Sequence, residues 1–152
     1  MTEDPMMSRR MLLGGLAAAT ATSAFAYMTG GARTKAVSEA RASADLAPRD
    51  GRLLVDIREP MEWQQTGVLP GARLHPWRSA EGFAEAFRDE IAKADEILIL
   101  CRSGNRSSSA ARALAALLDR EVVDVAGGMI RLAREAEAQV VAPTRRMGCT
   151  VC

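Results

Sequence analysis

Three short, mostly apolar runs divide the chain: Leu53–Ile57, Ile97–Leu100 and Val122–Val125. Apolar runs of this length, bounded by polar residues, are typical of strands that are buried on both faces. A further short strand is predicted over Arg73–His75, and it ends at Pro76 because proline lacks the backbone N–H that a sheet needs. The chain therefore offers several short strands at wide spacing.

Helices are predicted in the segments between these strands. Phe83, Phe87 and Ile91 recur every four residues, which places them on one face of an amphipathic helix. Other predicted helices are a short one from Pro60 to Trp63, one that buries Ala110, Leu114, Leu117 and Leu118, and a last one from Met129 to about Gln139. Strands that alternate with helices predict an α/β fold, a small parallel sheet flanked by helices on both faces.

Candidate chemistry lies directly after one predicted strand. A cysteine leaves Ile97–Leu100 and enters a loop of small residues with two arginines, in the order Cys101, Arg102, Ser103, Gly104, Asn105, Arg106. Parallel sheets bind ligands at the carboxyl ends of their strands, where this loop begins. We expect the loop amides and the first turn of a helix that starts near Ser107 to surround an anion. The arginines add fixed positive charge, so we predict a thiolate nucleophile and an anionic substrate.

Two other interpretations of Cys101 are weaker. An inert thiol buried in the core needs neither two arginines nor a glycine within five residues. A metal site would need a second cysteine or histidine at ligand spacing, and the sequence has none near Cys101. No metal and no organic cofactor is expected.

Four residues outside the loop are further candidates. Asp56 closes a strand, and it either accepts a hydrogen bond or salt bridge from a loop arginine or is a plain turn residue. Arg58 either binds the anionic substrate at the rim or is solvated. Trp63 is interpreted as a core residue rather than a ligand contact. His75 is the sole histidine, but its place beside Pro76 argues against a role as general base.

The chain ends in a Cys-x-x-Cys pair, Cys149 and Cys152. Such a pair closes a small disulfide, relays sulfur from Cys101 through a flexible tail, or binds metal. A structural zinc site would need two more ligands, and none lie nearby in sequence, so the disulfide is the preferred interpretation.

Composition and the amino terminus limit the compartment and the partners. The chain has 152 residues, 48% of them apolar, and its 20 basic residues nearly balance 19 acidic ones, so no nucleic-acid partner is indicated. Arg9 and Arg10 precede an uncharged stretch, Met11–Met28, and Ala24–Ala26 fits a cleavage site. This layout resembles a twin-arginine export signal and implies a periplasmic protein. The alternative is an uncleaved anchor that leaves the protein facing the periplasm.

The segment from about Ala44 to about Val140 resembles a single-domain rhodanese. The motifs that carry this resemblance are Leu54–Glu59, Glu62-Trp63, Gly67–Ala72, Cys101–Arg106 and Gly127-Gly128. Val68 and Leu69 stand where the family often has histidine and isoleucine, and Met129–Leu132 lacks the family's frequent tryptophan. The expected organisation is a signal over residues 1–26, a linker over 27–43, a rhodanese-like domain over 44–140 and a tail over 141–152.

The resemblance implies a sulfurtransferase that works by double displacement. Cys101 would take sulfur from thiosulfate or a persulfide donor and pass it to cyanide, a thiol or a protein cysteine. The loop residues Arg102–Ser107 and Arg58 would bind the anionic donor, and Asp56 would support them. The alternatives are a sulfur carrier without turnover, or a phosphatase or arsenate reductase. The phosphatase loop has one residue more between cysteine and arginine than the four found here.

Overall fold

The computed structural model describes residues 35–135 and 139–152. In chain order, the strands and helices are β1 (Ala36–Glu39), β2 (Arg52–Asp56), α1 (Pro60–Thr66), β3 (Arg73–Leu74), α2 (Ala80–Ala86), α3 (Arg88–Lys93), β4 (Glu96–Leu100), α4 (Asn105–Leu118), β5 (Val122–Val125) and α5 (Gly128–Leu132). Short 3-10 helices lie at Ala44–Leu46 and Arg145–Met147. The predicted signal and the first part of the predicted linker, residues 27–34, lie outside the described residues.

The strands form one sheet in the order β1-β5-β4-β2-β3, and every pair in it is parallel. The central strand β4 pairs with β2 along its whole length and with β5 through Leu98 and Ile99. The carboxyl ends of β2, β4 and β5 therefore meet at one edge of the sheet. This edge carries the candidate site.

Side chains of the central strands alternate between two apolar layers. Ile97 and Ile99 of β4 pack with Phe83 of α2 and Leu114 of α4 on one face. Leu98 and Leu100 pack on the other face with residues of α5 and of the first 3-10 helix, namely Leu132 and Leu46. Because both faces of β4 are covered, its whole run is apolar. The predicted α/β class, with helices on both faces of a parallel sheet, is confirmed.

Three elements differ from the sequence prediction. Ala36–Glu39, inside the expected linker, form the edge strand β1 and pair with β5. The helix predicted across Phe87 is two helices, because the backbone of Phe87 leaves the helical conformation between them. The last helix ends at Leu132 rather than near Gln139, and residues 133–135 form turns.

A cluster of three arginines surrounds Glu96 at the start of β4. The carboxylate accepts hydrogen bonds from Arg41, from Arg52 at 2.8 Å and from Arg49 at 2.8 Å. Burial raises the pKa of Glu96, but the arginine hydrogen bonds outweigh it and lower the pKa from 4.5 to about 2. The cluster ties β1, β2 and β4 together at the end of the sheet opposite the candidate site.

We predict that this cluster makes the fold acid-sensitive. The carboxylate form of Glu96 is favoured in the folded state, so its stabilisation is complete above pH 4.5 and is lost as the pH falls to about 2. Glu96→Gln should lower the free energy of unfolding by about 1–2 kcal/mol at pH 7, because the cluster is partly screened by solvent. Urea unfolding at several pH values measures this difference, which should shrink towards pH 2.

Glu85→Gln is the matched control. Glu85 pairs with Arg88 on an exposed helix surface, where such pairs add little. The prediction would be contradicted if Glu96→Gln lowered the free energy of unfolding no more than Glu85→Gln does, or by an amount that does not depend on pH.

Candidate active site

Cys101 is the first residue after β4, and hydrogen-bond donors of the following loop converge on its sulfur. Its side chain is 1% exposed. The Gly104 amide donates to Sγ at 3.1 Å, the Ser107 amide at 3.4 Å and the Ser107 hydroxyl lies 3.2 Å from Sγ. Donors arranged around one sulfur stabilise an anion there more than a neutral thiol. The loop thus surrounds the Cys101 sulfur with hydrogen-bonding groups of Gly104 and Ser107, an arrangement called the cradle below.

Glycine is required at one position in this loop and at one position in α5, the helix that packs against it. Gly104 has φ +96°, a left-handed conformation that turns its amide back toward the sulfur. Gly128 begins α5 against the loop, and an added Cβ would lie 2.4 Å from the Cys101 carbonyl oxygen. This close approach lets the amides of Met129 and Ile130 donate to the carbonyls of Cys101 and Arg102, each at 2.9 Å. The start of α5 thus anchors the loop backbone.

Arg106 is held beside the loop by Glu62 of α1. Its Nη2 donates to both carboxylate oxygens of Glu62, at 2.7 and 2.8 Å. Glu59 and Pro60 begin α1 with a capping box, in which the Glu59 amide donates to Glu62 and fixes its side chain. The hydrogen bond to Glu62 is the main cause that raises the pKa of Arg106, and the charge of Cys101 adds to it.

The acid partner of this pair is ionised over a wide pH range. Burial raises the pKa of Glu62, but the hydrogen bonds from Arg106 and Glu59 and the charge of Arg106 lower it more, so it lies below its usual value. Glu62 therefore holds the guanidinium of Arg106 through Nη2 alone. The Nε and Nη1 atoms of Arg106 make no hydrogen bond with any described residue. The exposed side chains of Arg102, Ser103 and Asn105 complete the loop surface.

Asp56 and Arg58 form a buried pair of their own, which differs from the prediction. Asp56 is 0% and Arg58 is 1% exposed. Arg58 donates to Asp56 through Nε at 2.9 Å and Nη2 at 2.7 Å, and to Thr66 and the carbonyl of Gly67 at 2.6 and 2.8 Å. Asp56 therefore does not bind a loop arginine. Arg58 is not solvated: its donors bond to Asp56, to α1 and to the turn after α1, and its buried side chain forms part of a cavity wall.

Asp124 of β5 is a site residue that the sequence analysis did not single out. It is 3% exposed and accepts hydrogen bonds from the Ser107 hydroxyl and, at 2.7 Å, from the Ser38 hydroxyl. The available signal was an aspartate inside an apolar run that predicts a strand buried on both faces. Its contact with Ser107 places a carboxylate one side chain away from Cys101.

A cavity of about 260 Å³ opens beside the loop. One wall is polar and includes Arg102, and the other is apolar and belongs to α5 and the residue after it. The lining residues are Arg58, Glu62, Gln65, Thr66, Arg102, Met129, Ile130 and Ala133. A ligand with a charged end and an apolar part matches these walls.

The carboxyl-terminal cysteines form a disulfide, Cys149–Cys152. Cys149 is fully buried and packs with Trp63, Val68 and Leu74, so the tail expected to be flexible is packed at this point. In this state the tail offers no thiol to accept sulfur from Cys101. Cys101 is the single free cysteine of the chain.

The two aromatic candidates lie in apolar surroundings. Trp63 is 1% exposed, which confirms its core assignment. His75 packs edge-on against Phe83 and Phe87, with ring centroids 6.1 and 5.4 Å apart. Burial, and secondly the charge of Arg78, lower its pKa. The hydrogen-bond donors on Cys101 do not include this histidine.

Two properties of residues 35–135 and 139–152 concern membranes and metal ions. None of the helices found there has the length and apolarity to cross a bilayer. The same residues contain no group of three or more histidine, cysteine, aspartate or glutamate side chains arranged to bind a metal ion.

Two solved structures share features of this fold at low similarity. A Rhodopseudomonas palustris protein of unknown function, described as a possible tyrosine phosphatase, is 25% identical with a TM-score of 0.49, over 60% of this chain and 71% of its own. A rhodanese-related protein from Thermoplasma volcanium is 24% identical with a TM-score of 0.44, over 61% and 86%.

Sequence comparisons identify relatives and a family. A sulfurtransferase of Allochromatium vinosum is 37% identical over 66% of this chain and 89% of its own length. An adenylyltransferase and sulfurtransferase of Candida albicans is 32% identical over 58% of this chain, which spans only 21% of that relative. The Rhodanese-like domain family matches residues 38–134, more than half of the chain. With the five-stranded parallel sheet and its cysteine loop, this match shows that the chain belongs to the rhodanese-like domain family.

Proposed function

We propose that this protein is a sulfurtransferase that carries sulfur as a persulfide on Cys101. The single observation that carries the proposal is the convergence of the Gly104 amide, the Ser107 amide and the Ser107 hydroxyl on the Cys101 sulfur. The two amides favour the thiolate, which is the nucleophilic form of cysteine, and the Ser107 hydroxyl is a third donor to Sγ only when it does not donate to Asp124. The relative from Allochromatium vinosum, named a sulfurtransferase, supports the same chemistry.

In the first half-reaction, the Cys101 thiolate attacks the outer sulfur of thiosulfate. A sulfur–sulfur bond forms to Cys101, the sulfur–sulfur bond of thiosulfate breaks, and sulfite leaves with that electron pair. Arg106, and Arg102 in the wall of the cavity, attract the dianionic donor. The persulfide that remains has an anionic terminal sulfur, which the loop amides and guanidinium groups stabilise.

In the second half-reaction, a nucleophile such as cyanide, a thiolate or a protein cysteine attacks the terminal sulfur. The bond to Cys101 breaks and the thiolate is regenerated in its cradle. Division of the transfer into two displacements predicts ping-pong kinetics. Neither step requires a metal ion or an organic cofactor.

The direct test is the intact mass of the protein after incubation with thiosulfate. We expect wild type to gain one sulfur atom, with the gain located at Cys101 by peptide mapping and removed by cyanide. Cys101→Ala should gain none. A sulfur gain in Cys101→Ala, or no gain in wild type at saturating thiosulfate and other persulfide donors, would contradict the proposal. A gain without catalytic turnover would instead indicate a sulfur carrier.

A further inference from the structure

Asp124 is a buried carboxylate without a cationic partner. Within the described residues, no arginine, lysine or histidine forms an ion pair with it. Both of its oxygens accept hydrogen bonds, one from Ser107 and one from Ser38. A buried charge that is balanced only by hydroxyls is costly to the fold. Such a group is a candidate for holding a proton as part of the chemistry.

The groups bonded to Asp124 connect it to the nucleophile. The Ser107 hydroxyl contacts Cys101 Sγ at 3.2 Å and Asp124 Oδ1 at hydrogen-bond distance. The Ser38 hydroxyl, on the exposed edge strand β1, donates to the other oxygen at 2.7 Å and holds the carboxyl in place. Because Cys101 is 1% exposed, a base in bulk solvent reaches its proton poorly. Ser107 offers a direct internal route for that proton.

The Ser107 hydroxyl has a single proton, so the hydrogen bonds that link Cys101, Ser107 and Asp124 have two possible arrangements. If Asp124 is ionised, the hydroxyl donates to the carboxylate and can only accept from a protonated Cys101. If Asp124 is protonated, the carboxyl donates to the hydroxyl, and the hydroxyl donates to a Cys101 thiolate. The two arrangements differ in the position of one proton and carry the same total charge.

We propose that Asp124 takes the Cys101 proton through Ser107 and holds it during sulfur transfer. The S–H bond breaks and leaves its electron pair on Sγ, the proton forms a new O–H bond on Ser107, and the original Ser107 proton forms an O–H bond on Asp124 Oδ1. Net charge is unchanged. Neither half-reaction consumes a proton, so Asp124 stays neutral while Ser107 donates to the thiolate. The inference rests on the proposed sulfurtransferase function and makes Asp124 a positioning residue that acts through Ser107.

The charged residues on the elements next to β5 bond to groups other than Asp124. The ion pairs are Glu39 of β1 with Arg41, Glu96 of β4 with Arg52, Arg106 of α4 with Glu62, and Arg131 of α5 with Glu135, while Arg112 of α4 donates to Ser108 and Ser109. The groups that face Asp124 directly are the hydroxyls of Ser107 and Ser38, with the Cys101 sulfur beyond Ser107.

The test is the rate of Cys101 alkylation by iodoacetamide as a function of pH, without any sulfur donor. Cys101 is the single free cysteine, so the rate reports on it alone. In wild type, we expect two rises separated by a plateau, because thiol and carboxyl share one proton across that range. In Asp124→Asn, we expect one rise, so that below it the rate falls about tenfold per pH unit while wild type stays level.

Two further variants complete the experiment. Ser107→Ala removes the hydroxyl that links Cys101 to Asp124 and keeps the carboxylate, so its alkylation rate should also show a single rise with pH. This variant keeps the test valid if Asp124→Asn does not fold. Ser109→Ala, an exposed position on the same helix, should keep the plateau. A single rise in wild type, or a plateau retained in both Asp124→Asn and Ser107→Ala, would overturn the proton transfer.

The alkylation profile and the persulfide mass separate this inference from the proposed function. A plateau that is lost in the variants, together with no sulfur gain from donors, would leave the proton transfer standing and remove the sulfurtransferase role. A sulfur gain on Cys101, together with a single rise of the alkylation rate in wild type, would support the sulfurtransferase role and remove the proton transfer.

Discussion

Replacement of Cys101 by serine is expected to lower thiosulfate:cyanide sulfur transfer by at least about 10³-fold. A serine hydroxyl is not ionised at neutral pH, and attack by its oxygen could not produce a persulfide. The cradle itself should survive, because the Gly104 amide and Ser107 can donate to an oxygen in place of sulfur. Steady-state turnover and a far-ultraviolet circular dichroism spectrum measure the two effects separately.

Ser109→Ala is the control for this substitution. Ser109 lies on the exposed side of α4, two residues beyond Ser107, and contacts Arg112. We expect its turnover to equal that of wild type. If Cys101→Ser keeps more than a tenth of wild-type turnover, Cys101 is not the sulfur carrier.

The second large effect concerns the buried pair of Asp56 and Arg58. Asp56→Asn removes the charge that balances a guanidinium of which 1% is exposed. Loss of one partner of a buried ion pair costs about 3–5 kcal/mol, because the other charge stays buried and unbalanced. We expect the free energy of unfolding in urea to fall by this amount. We also expect the Cys101–Arg106 loop, which lies at the same carboxyl end of the sheet, to become less ordered.

A double variant tests the physical cause. Asp56→Leu combined with Arg58→Met removes both charges, and replacement of a whole buried pair by apolar side chains is often close to neutral. We therefore expect the double variant to be more stable than Asp56→Asn alone. Asp119→Asn, at an ion pair whose aspartate is 92% exposed, should leave the free energy of unfolding close to that of wild type. A double variant that is no more stable than Asp56→Asn would contradict this account.

Local sequence predicted the nucleophile and its loop because their determinants are neighbours in the chain. A buried apolar run ends at Leu100, Cys101 follows, and Gly104 permits the left-handed turn that brings its amide back to the sulfur. The same locality allowed the alternating strands and helices to predict the parallel sheet. The family resemblance rested on these same segments.

Edge elements and helix ends were harder to predict. β1 has few apolar residues and is a strand because Ala36–Glu39 pair with β5, more than eighty residues away. The helix predicted through Phe87 is interrupted there by the backbone conformation of that residue, φ −118° and ψ 23°, although the spacing of Phe83, Phe87 and Ile91 fits one continuous helix. Neither the strand pairing nor this backbone conformation can be read from the local pattern.

The sequence by itself determined the class of fold, the position of Cys101 after β4 and the glycines that shape its loop, since each depends on residues close together in the chain. The tertiary structure alone decided which charged groups serve that loop. Arg106 pairs with Glu62, 44 residues away, and Asp56 pairs with Arg58 instead of the loop. Asp124 reaches Ser107 because β5 lies beside β4 in the sheet. Charge pairs form between side chains that folding brings together, and hydrogen bonds act only over a few ångströms, so sequence distance does not reveal them.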